Sequence, residues 1–239
     1  EPRFYLTVVW NGQWFKWENR NTNFLYGQPD GGPTHDAPQN GYLNRSRVSL
    51  DYIPRDNNHP YRPAIIFRMA EAYLSYAEAL NESSERMSHK QEILDNLNKI
   101  RHRAGIAEYG TGTDENGFTR IKINFSDQKE VRRLIHKERR VEFVGEGVRY
   151  HDLRRWKTAH YGIGNLNEQG ENPDWGVNGP DYGMNYYGTE YTDQGDNAFF
   201  KRTKYMDRVY PRKFYWYPIH QSEIDKDPTL VQGLFWLGE

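Results

Sequence analysis

Two stretches of the sequence carry apolar residues at intervals of three and four, and this spacing constrains the fold more than any other feature. It places the apolar side chains of each stretch on one face of an α-helix. The first helix is predicted to run from about Pro63, a residue suited to a first helical turn, to about Asn81. Its apolar positions are Ile66, Met69, Ala70, Tyr73, Leu74, Ala77 and Leu80.

The second helix is predicted to begin at Ser88, because Gln91 follows three residues later in the pattern of a capping box. Gly105 is placed to end this helix in the left-handed conformation. Two amphipathic helices joined by a short link make an αα-hairpin, which is the unit of helical repeat folds. The stripe of the second helix consists of Ile93, Leu94, Leu97 and Ile100.

Two more helices are expected before residue 160. Ser126 or Asp127 is placed to cap the third helix, and Gly145 and Gly147 are placed to break it. A short fourth helix is expected over roughly 149–159. Together the four helices predict a mainly α fold, a tetratricopeptide-like α/α superhelical scaffold with long irregular loops.

The residues on either side of this helical core, 61–159, are rich in loop-forming residues. In segment 1–60, the apolar run from Phe4 to Trp10 is followed by Asn11 and Gly12, a favoured turn pair. These features predict a small β-hairpin whose second strand extends to Trp17. Segment 160–239 contains a long irregular stretch, and such stretches in compact chains are usually functional or disordered.

Charge and composition exclude several classes of function. The chain has 32 Lys and Arg against 33 Asp and Glu, so its net charge of −1 argues against a nucleic-acid partner held by bulk charge. The absence of cysteine excludes disulfides, thiol catalysis and cysteine-ligated metals within these 239 residues. The sequence contains no nucleotide-binding or esterase fingerprint and no histidine pair at metal spacing. We therefore predict no cofactor and no metal site.

Aromatic residues make up 15% of the chain, and they are the best sequence evidence for a ligand site. Flat rings stack on the apolar faces of sugars, while neighbouring polar groups bond the hydroxyls. The same surface suits peptide side chains, and packing within the protein is the alternative use of each ring. The candidate ligand-binding residues are Trp10, Trp14, Trp17, Trp175, Tyr182, Tyr186, Tyr187 and Tyr191.

The third helix carries three glutamates at intervals of four, so that their side chains share one face. A pair of carboxylates can hydrolyse glycosides when the two flank the sugar at a suitable separation. The many arginines nearby favour a structural ion network instead, because a guanidinium binds a carboxylate through two hydrogen bonds. We expect pairs of Glu142 with Arg149 and of Asp152 with Arg155. The predicted network residues are Glu138, Glu142, Glu146, Arg149, Asp152 and Arg155.

Several separated blocks of the sequence resemble the SusD/RagB family. Residues 70–81 are similar to the family pattern AEAYLxYAEAxN, which follows closely after an arginine. Residues 97–105 resemble the block NxVRxRAG, and residues 135–156 resemble ERRxELxxEGxRxxDLxRW. Residues 217–224 resemble the terminal PIPxSEI block, with His220 where proline is usual. The blocks occur in the family order.

The resemblance implies a non-catalytic, surface-exposed outer-membrane lipoprotein that captures nutrients, usually oligosaccharides. Such a protein acts as a lid on a SusC-like TonB-dependent transporter barrel and passes its ligand into the barrel. A peptide-capturing member of the family is the main alternative, and a glycan-cleaving enzyme is a further one. The family's ligand residues lie in variable loops, so the resemblance assigns none of them here.

The resemblance covers only the C-terminal region of family members, which are usually much longer. They begin with a lipidated cysteine and tetratricopeptide-like helix pairs. We therefore expect residues 1–239 to be the C-terminal region of a longer, lipid-anchored parent, with its N-terminal half absent. This region comprises a loop and hairpin segment, the helical core and an aromatic loop region with the C-terminal tail.

Overall fold

The structure is a computed structural model that describes residues 1–46, 48–49, 52–53, 56–57, 59–61, 64–162 and 176–236. The chain forms two compact units. The first unit contains Glu1–Arg149 and Tyr182–Thr203, and the second contains Tyr150–Asp181 and Lys204–Glu239. Two residues named in the sequence predictions, Pro63 at the start of the first helix and Trp175 in the ligand site, lie outside the described residues.

The described residues are mainly helical with a few short strands, which confirms the predicted fold class. The helices are α1 (Pro2–Thr7), α2 (Met69–Glu82), α3 (Lys90–Arg103), α4 (Gln128–Glu142), α5 (Val148–Arg155) and α6 (Gln221–Lys226). The strands are β1 (Val8–Val9), β2 (Trp14–Phe15), β3 (Arg20–Asn21), β4 (Leu43–Asn44), β5 (Gly179–Gly183) and β6 (Thr203–Arg208). Within the described parts of the chain, no helix is both long enough and apolar enough to cross a bilayer.

Helices α2, α3 and α4 pack together and form what we call the helical layer of the first unit. Their apolar stripes meet in one core, as the spacing predicted. The fully buried core residues at the centre of this layer are Leu74 and Ala77 from α2, Ile93 and Leu97 from α3, and Val131 and Ile135 from α4.

The predicted starts of the first two helices were wrong. Residue Arg68 is still extended (φ −142°, ψ 155°), so α2 begins at Met69 and Ile66 is almost fully exposed ahead of it. Arg68 is held in place by Glu146, which accepts two hydrogen bonds from its guanidinium. The predicted capping box does not form, because the Ser88 hydroxyl donates back to the Glu85 carbonyl at 2.7 Å.

Local chemistry at the other helix ends agrees with prediction. Asp127 caps α4 by accepting hydrogen bonds from the backbone amides of Lys129 (2.9 Å) and Glu130 (3.2 Å). Gly105 follows α3 in the left-handed region with φ +65°. Gly145, beyond the end of α4, has φ +78°, and a Cβ there would lie 2.3 Å from Ser46 Oγ. The glycine thus lets the chain after α4 pass close to the chain after β4.

The N-terminal hairpin prediction was wrong. Residues Pro2–Thr7 form α1 instead, because Pro2 suits a first helical turn and the Glu1 side chain caps the backbone amide of Arg3. β1 then pairs antiparallel with β4 (Val9 opposite Leu43), and β2 pairs with β3. The turn at Asn11 and Gly12 is present, but it connects strands of two different small sheets.

The second unit is organised around Arg154 of α5. Its guanidinium donates to the carbonyls of Phe214 and Tyr215, each at 2.7 Å. These bonds tie α5 to the 3-10 turn Arg212–Tyr215. A small apolar cluster of Leu153, Ala159, Tyr210 and Tyr215 is buried beside them.

Candidate ligand-binding site

An open cleft of about 620 Å³ lies beside β2 in the first unit, and we call it the tryptophan cleft. Trp14 and Phe15 of β2 line it, with 58% and 39% of their surfaces exposed, and Trp17 lines it from the following 3-10 turn. The other lining residues are Val9, Gln13, Lys16, Thr22, Phe24, Pro29, Asp30, Thr34, Asp36, Ala37, Pro38, Leu43, Asn44, Arg45, Val48 and Ser49.

Hydrogen bonds to Thr22 hold the aromatic strand in place. The Thr22 hydroxyl donates to the Trp10 carbonyl (2.7 Å) and accepts from the backbone amide of Gln13 (3.0 Å). The Thr22 amide in turn donates to the Gln13 carbonyl at 2.8 Å. The turn after β2 closes at Asn19 in the left-handed conformation (φ 52°), which asparagine tolerates well. The cleft therefore presents its rings from a fixed backbone.

An ion pair fixes the loop that forms another part of the cleft wall. Asp30 accepts hydrogen bonds from two nitrogens of the Arg20 guanidinium, at 2.6 and 2.8 Å, and one from the amide of Asn23 at 2.8 Å. The hydrogen bond from Arg20 is the main reason that the pKa of Asp30 lies below its ordinary value. The Asp30 carboxylate is thus ionised at neutral pH, and its oxygens already accept hydrogen bonds from within the protein.

Gln13 contributes a polar atom with unused bonding capacity. Its side-chain Oε1 is buried and has no hydrogen-bond partner among the described residues. Buried acceptors in proteins are nearly always satisfied, so an unsatisfied one in a cleft wall is unusual. A ligand hydroxyl is one group that could satisfy it.

The predicted tyrosines form a second aromatic group in the first unit. The rings of Tyr186 and Tyr187 are 5.1 Å apart and meet edge to face, and both contact Tyr26, at 6.0 and 5.5 Å. The three tyrosines form the cluster that we call the tyrosine trio. Tyr186 is half-buried against Gly32, where a Cβ would lie 2.5 Å from its ring, whereas Tyr187 is 70% exposed.

The remaining predicted aromatics lie apart from these two groups. Trp10 is half-buried and packs against Tyr5, with ring centroids 5.0 Å apart. Tyr191 packs edge to face on Phe200 at 4.8 Å. Tyr182 is covered on one side by the Arg202 guanidinium at 3.8 Å.

Sequence reasoning missed several residues of the cleft and of the trio. Phe15 and Lys16 were visible beside the selected tryptophans, and their position between two of them was the available signal. Tyr26, Phe24 and Arg45 had no local signal, because their places depend on the path of the loop between β3 and β4.

The predicted ion network of the third helix is centred on Glu142, which is buried at the end of α4. Its carboxylate contacts three guanidinium groups, those of Arg3 (3.1 Å), Arg68 and Arg103. The predicted pair of Glu142 with Arg149 was wrong, because Arg3, Arg68 and Arg103 contact the Glu142 carboxylate instead.

Glu138 and Glu146 extend this network. Glu138, one turn before Glu142, contacts Arg101 and accepts a hydrogen bond from the Tyr109 hydroxyl at 3.2 Å. Arg3 also reaches Glu138, at 3.4 Å. Glu146 lies beyond the helix end, where its two oxygens accept from Arg68 at 2.6 and 2.9 Å. The buried network thus connects α1, α3, α4 and the residue before α2.

The network shifts the pKa values of its members. Burial alone would raise the pKa of Glu142, but the hydrogen bonds from Arg68 and Arg103 outweigh it, so the pKa lies below its ordinary value. Burial, followed by the charge of Glu138, raises the pKa of Tyr109 well above its usual range. In the second unit, Asp152 forms the expected pair with Arg155 at 2.9 Å. Arg149 is the second residue of α5 and belongs to the first unit.

Comparison with known proteins gives the family. The model of the SusD family matches residues 1–236. The SusD-like proteins P25 and P38 of Formosa agariphila are each 32% identical to this chain, over 109 and 103 residues. These matches cover 46% and 43% of this chain but only 18% and 19% of those proteins.

Solved structures agree with this match. A SusD-like protein of Bacteroides fragilis is 26% identical, with a TM-score of 0.66 over 99% of this chain and 39% of its own. A second structure, of BT4246, shares the fold with a TM-score of 0.68 at 24% identity. The chain therefore spans well under half the length of the relatives it matches, and it belongs to the SusD family.

Proposed function

We propose that this chain is the C-terminal part of a protein that binds nutrient oligosaccharides without cleaving them. The parent protein is anchored by lipid at the outer-membrane surface and delivers its ligand to a SusC-like TonB-dependent transporter. Membership of the SusD family supports this proposal, and the geometry of the tryptophan cleft supports the oligosaccharide as ligand.

The observation that carries the proposal is the exposure of Trp14 and Phe15 at the edge of a mainly apolar cleft that also contains a few polar side chains. Exposed aromatic rings on a fixed backbone lose little conformational entropy when a flat apolar face stacks on them. The polar residues Gln13, Asn44 and Ser49 line the same cleft, and the buried Gln13 Oε1 has no hydrogen-bond partner among the described residues. A few such polar groups among aromatic surface are typical of small-molecule sites.

The carboxylates of the first unit support binding without catalysis. Glycoside hydrolysis needs two carboxyl groups on either side of the sugar, one of which starts protonated. Glu138 and Glu142 are buried behind arginines, and the arginines lower the pKa of Glu142, so it is not a proton donor at neutral pH. Asp30 in the cleft is likewise held ionised by Arg20.

The test is a tryptophan-fluorescence titration of this chain and of its longer parent with matched panels of oligosaccharides and peptides. We expect saturable quenching by at least one oligosaccharide, with no reducing sugar released on long incubation. Saturation by peptides alone would assign the peptide-capturing function instead. Release of reducing sugar would replace the binding function by an enzymatic one.

A further inference from the structure

We propose that the tryptophan cleft selects oligosaccharides that carry an anionic substituent, either a carboxylate or a sulfate ester. This inference rests on the proposed oligosaccharide binding and adds the charge of the ligand to it. It is carried by the charged side chains that line the cleft and by the partners of each one.

The acidic groups around the cleft are either paired with Arg20 or exposed to solvent. Arg20 binds both Asp30, through two hydrogen bonds, and Glu18, at 3.3 Å. Asp36 is almost fully exposed and contacts His35 at 3.1 Å. Water therefore screens the charge of Asp36 strongly, and that of Asp30 is compensated within the protein.

The basic groups of the cleft differ from the acidic ones. Lys16 and Arg45 both line the cleft, and neither forms an ion pair with any residue in the described ranges. The Lys16 ammonium lies 4.5 Å from the centre of the Trp17 ring, which places positive charge directly beside an aromatic surface. Arg45 is partly buried in the chain segment after β4, where its backbone amide donates to the Thr7 carbonyl at 2.8 Å and its carbonyl accepts from the Val48 amide at 2.9 Å.

The lining charges balance in number, with Lys16 and Arg45 against Asp30 and Asp36, but they differ in placement. Asp30 is hydrogen-bonded to Arg20 and Asp36 is 95% exposed, whereas the Lys16 ammonium lies over the Trp17 ring. A sugar stacked on Trp14 or Trp17 would bring its substituents within reach of these cations. An anionic substituent gains Coulomb attraction there, whereas a neutral sugar gains only stacking and hydrogen bonds. One such contact at a solvent-exposed site strengthens binding by about fivefold, so two give at most about 25-fold, and screening by salt lowers this preference to about tenfold.

The experiment measures affinity by calorimetric titration, using two pairs of ligands matched except for charge. The first pair is oligogalacturonide and its methyl ester, which differ in the carboxylate. The second pair is a carrageenan oligosaccharide and its desulfated form of equal length, which differ in the sulfate esters. We expect the charged member of at least one pair to bind about tenfold more tightly, and to lose this advantage as salt is raised.

Variants separate the charge of the cleft from its shape. The double variant Lys16→Met, Arg45→Met should lose the preference while retaining the weaker binding of the neutral ligand, and Lys16→Arg should keep the preference. Lys213→Met is the matched control, because Lys213 also lies over a tryptophan, Trp236 at 5.1 Å, but does not line the cleft. Equal affinity for charged and neutral members would overturn this inference and leave the proposed function standing. Failure of all four ligands to bind would also overturn this inference, whereas the proposed function is decided by the wider panel of oligosaccharides.

Discussion

The helical layer and the tryptophan cleft belong to the same unit, yet they differ in which groups are buried and in whether the buried polar groups have partners. In the helical layer, aliphatic residues fill the core, and the buried carboxylates of Glu138 and Glu142 are matched by arginines. In the cleft, the apolar rings of Trp14 and Phe15 face solvent and the buried oxygen of Gln13 has no described partner. The difference indicates that the helical layer stabilises the fold, whereas the cleft keeps groups that can bind a ligand.

The comparison predicts that substitutions in the two regions separate stability from binding. Changes in the helical layer should lower the free energy of unfolding, because they leave buried charges or helix ends without partners. Changes in the cleft should alter affinity and leave unfolding nearly unchanged. Each prediction below tests one side of this separation.

The largest effect is expected for Glu142→Gln. Removing one partner of a buried ion pair leaves the other charges unpaired, so the variant should lose about 3 kcal/mol of unfolding free energy at pH 7. The control is Glu115→Gln, since Glu115 is exposed. Chemical denaturation at neutral pH measures both variants, and a loss at Glu142 no larger than at Glu115 would contradict the stabilising role of the network.

The same variant has a pH signature. The pKa of Glu142 is lower in the folded state than in the unfolded chain, so its stabilisation is present above the unfolded pKa of about 4.3 and is lost as pH falls through the folded pKa. The stability gap between wild type and Glu142→Gln should therefore shrink below about pH 4. A gap that stays constant down to pH 3 would show that ionisation of Glu142 does not stabilise the fold.

A smaller loss is expected for Asp127→Ala at the start of α4. Its carboxylate accepts the amide hydrogen bonds of Lys129 and Glu130, and loss of such a cap costs about 1 kcal/mol. Asp127→Asn keeps an accepting oxygen and should recover most of this loss. Thermal unfolding of wild type and both variants measures these differences, and an Asp127→Ala melting temperature equal to that of wild type would contradict the stabilising role of the cap.

The smallest effect on stability is expected for Gln13→Met in the cleft wall. Replacing an unsatisfied buried amide oxygen by an apolar group of similar size is close to neutral or slightly stabilising, within about 1 kcal/mol. Affinity for an oligosaccharide should nevertheless fall, because the acceptor offered to a hydroxyl is gone. A large loss of stability would show that the oxygen is already satisfied in solution.

These two regions also differ in how far the sequence could predict them. The helix cap at Asp127, the left-handed Gly105 and the apolar stripes depend on residues a few positions apart, and the sequence predicted each of them. The start of α2 was wrong because Arg68 is held extended by Glu146, 78 residues away. Local pattern contains no information about a partner at that distance.

The predictions for the N-terminal segment and for the cleft fell short for the same reason, because both regions depend on contacts between residues that are distant in the sequence. The pattern of alternating apolar residues from Phe4 to Trp10 indicated a strand, but Pro2 and the Glu1 cap favour α1, and β1 pairs with β4 some 35 residues later. The tryptophans of the cleft could be selected from their type alone. Lys16 is their neighbour in the sequence, but their setting beside Arg45 depends on tertiary contacts that no short motif encodes.

The most direct test of the account compares oligosaccharide affinity and unfolding free energy for wild type and Trp14→Ala in the longer parent protein. Tyr217→Ala is the control, because Tyr217 is 79% exposed in the second unit and lies outside the cleft. We predict a loss of affinity of about tenfold for Trp14→Ala, the order expected for one stacked aromatic ring, with unfolding unchanged and the control unaffected. Undiminished affinity in Trp14→Ala would contradict the assignment of ligand binding to the tryptophan cleft.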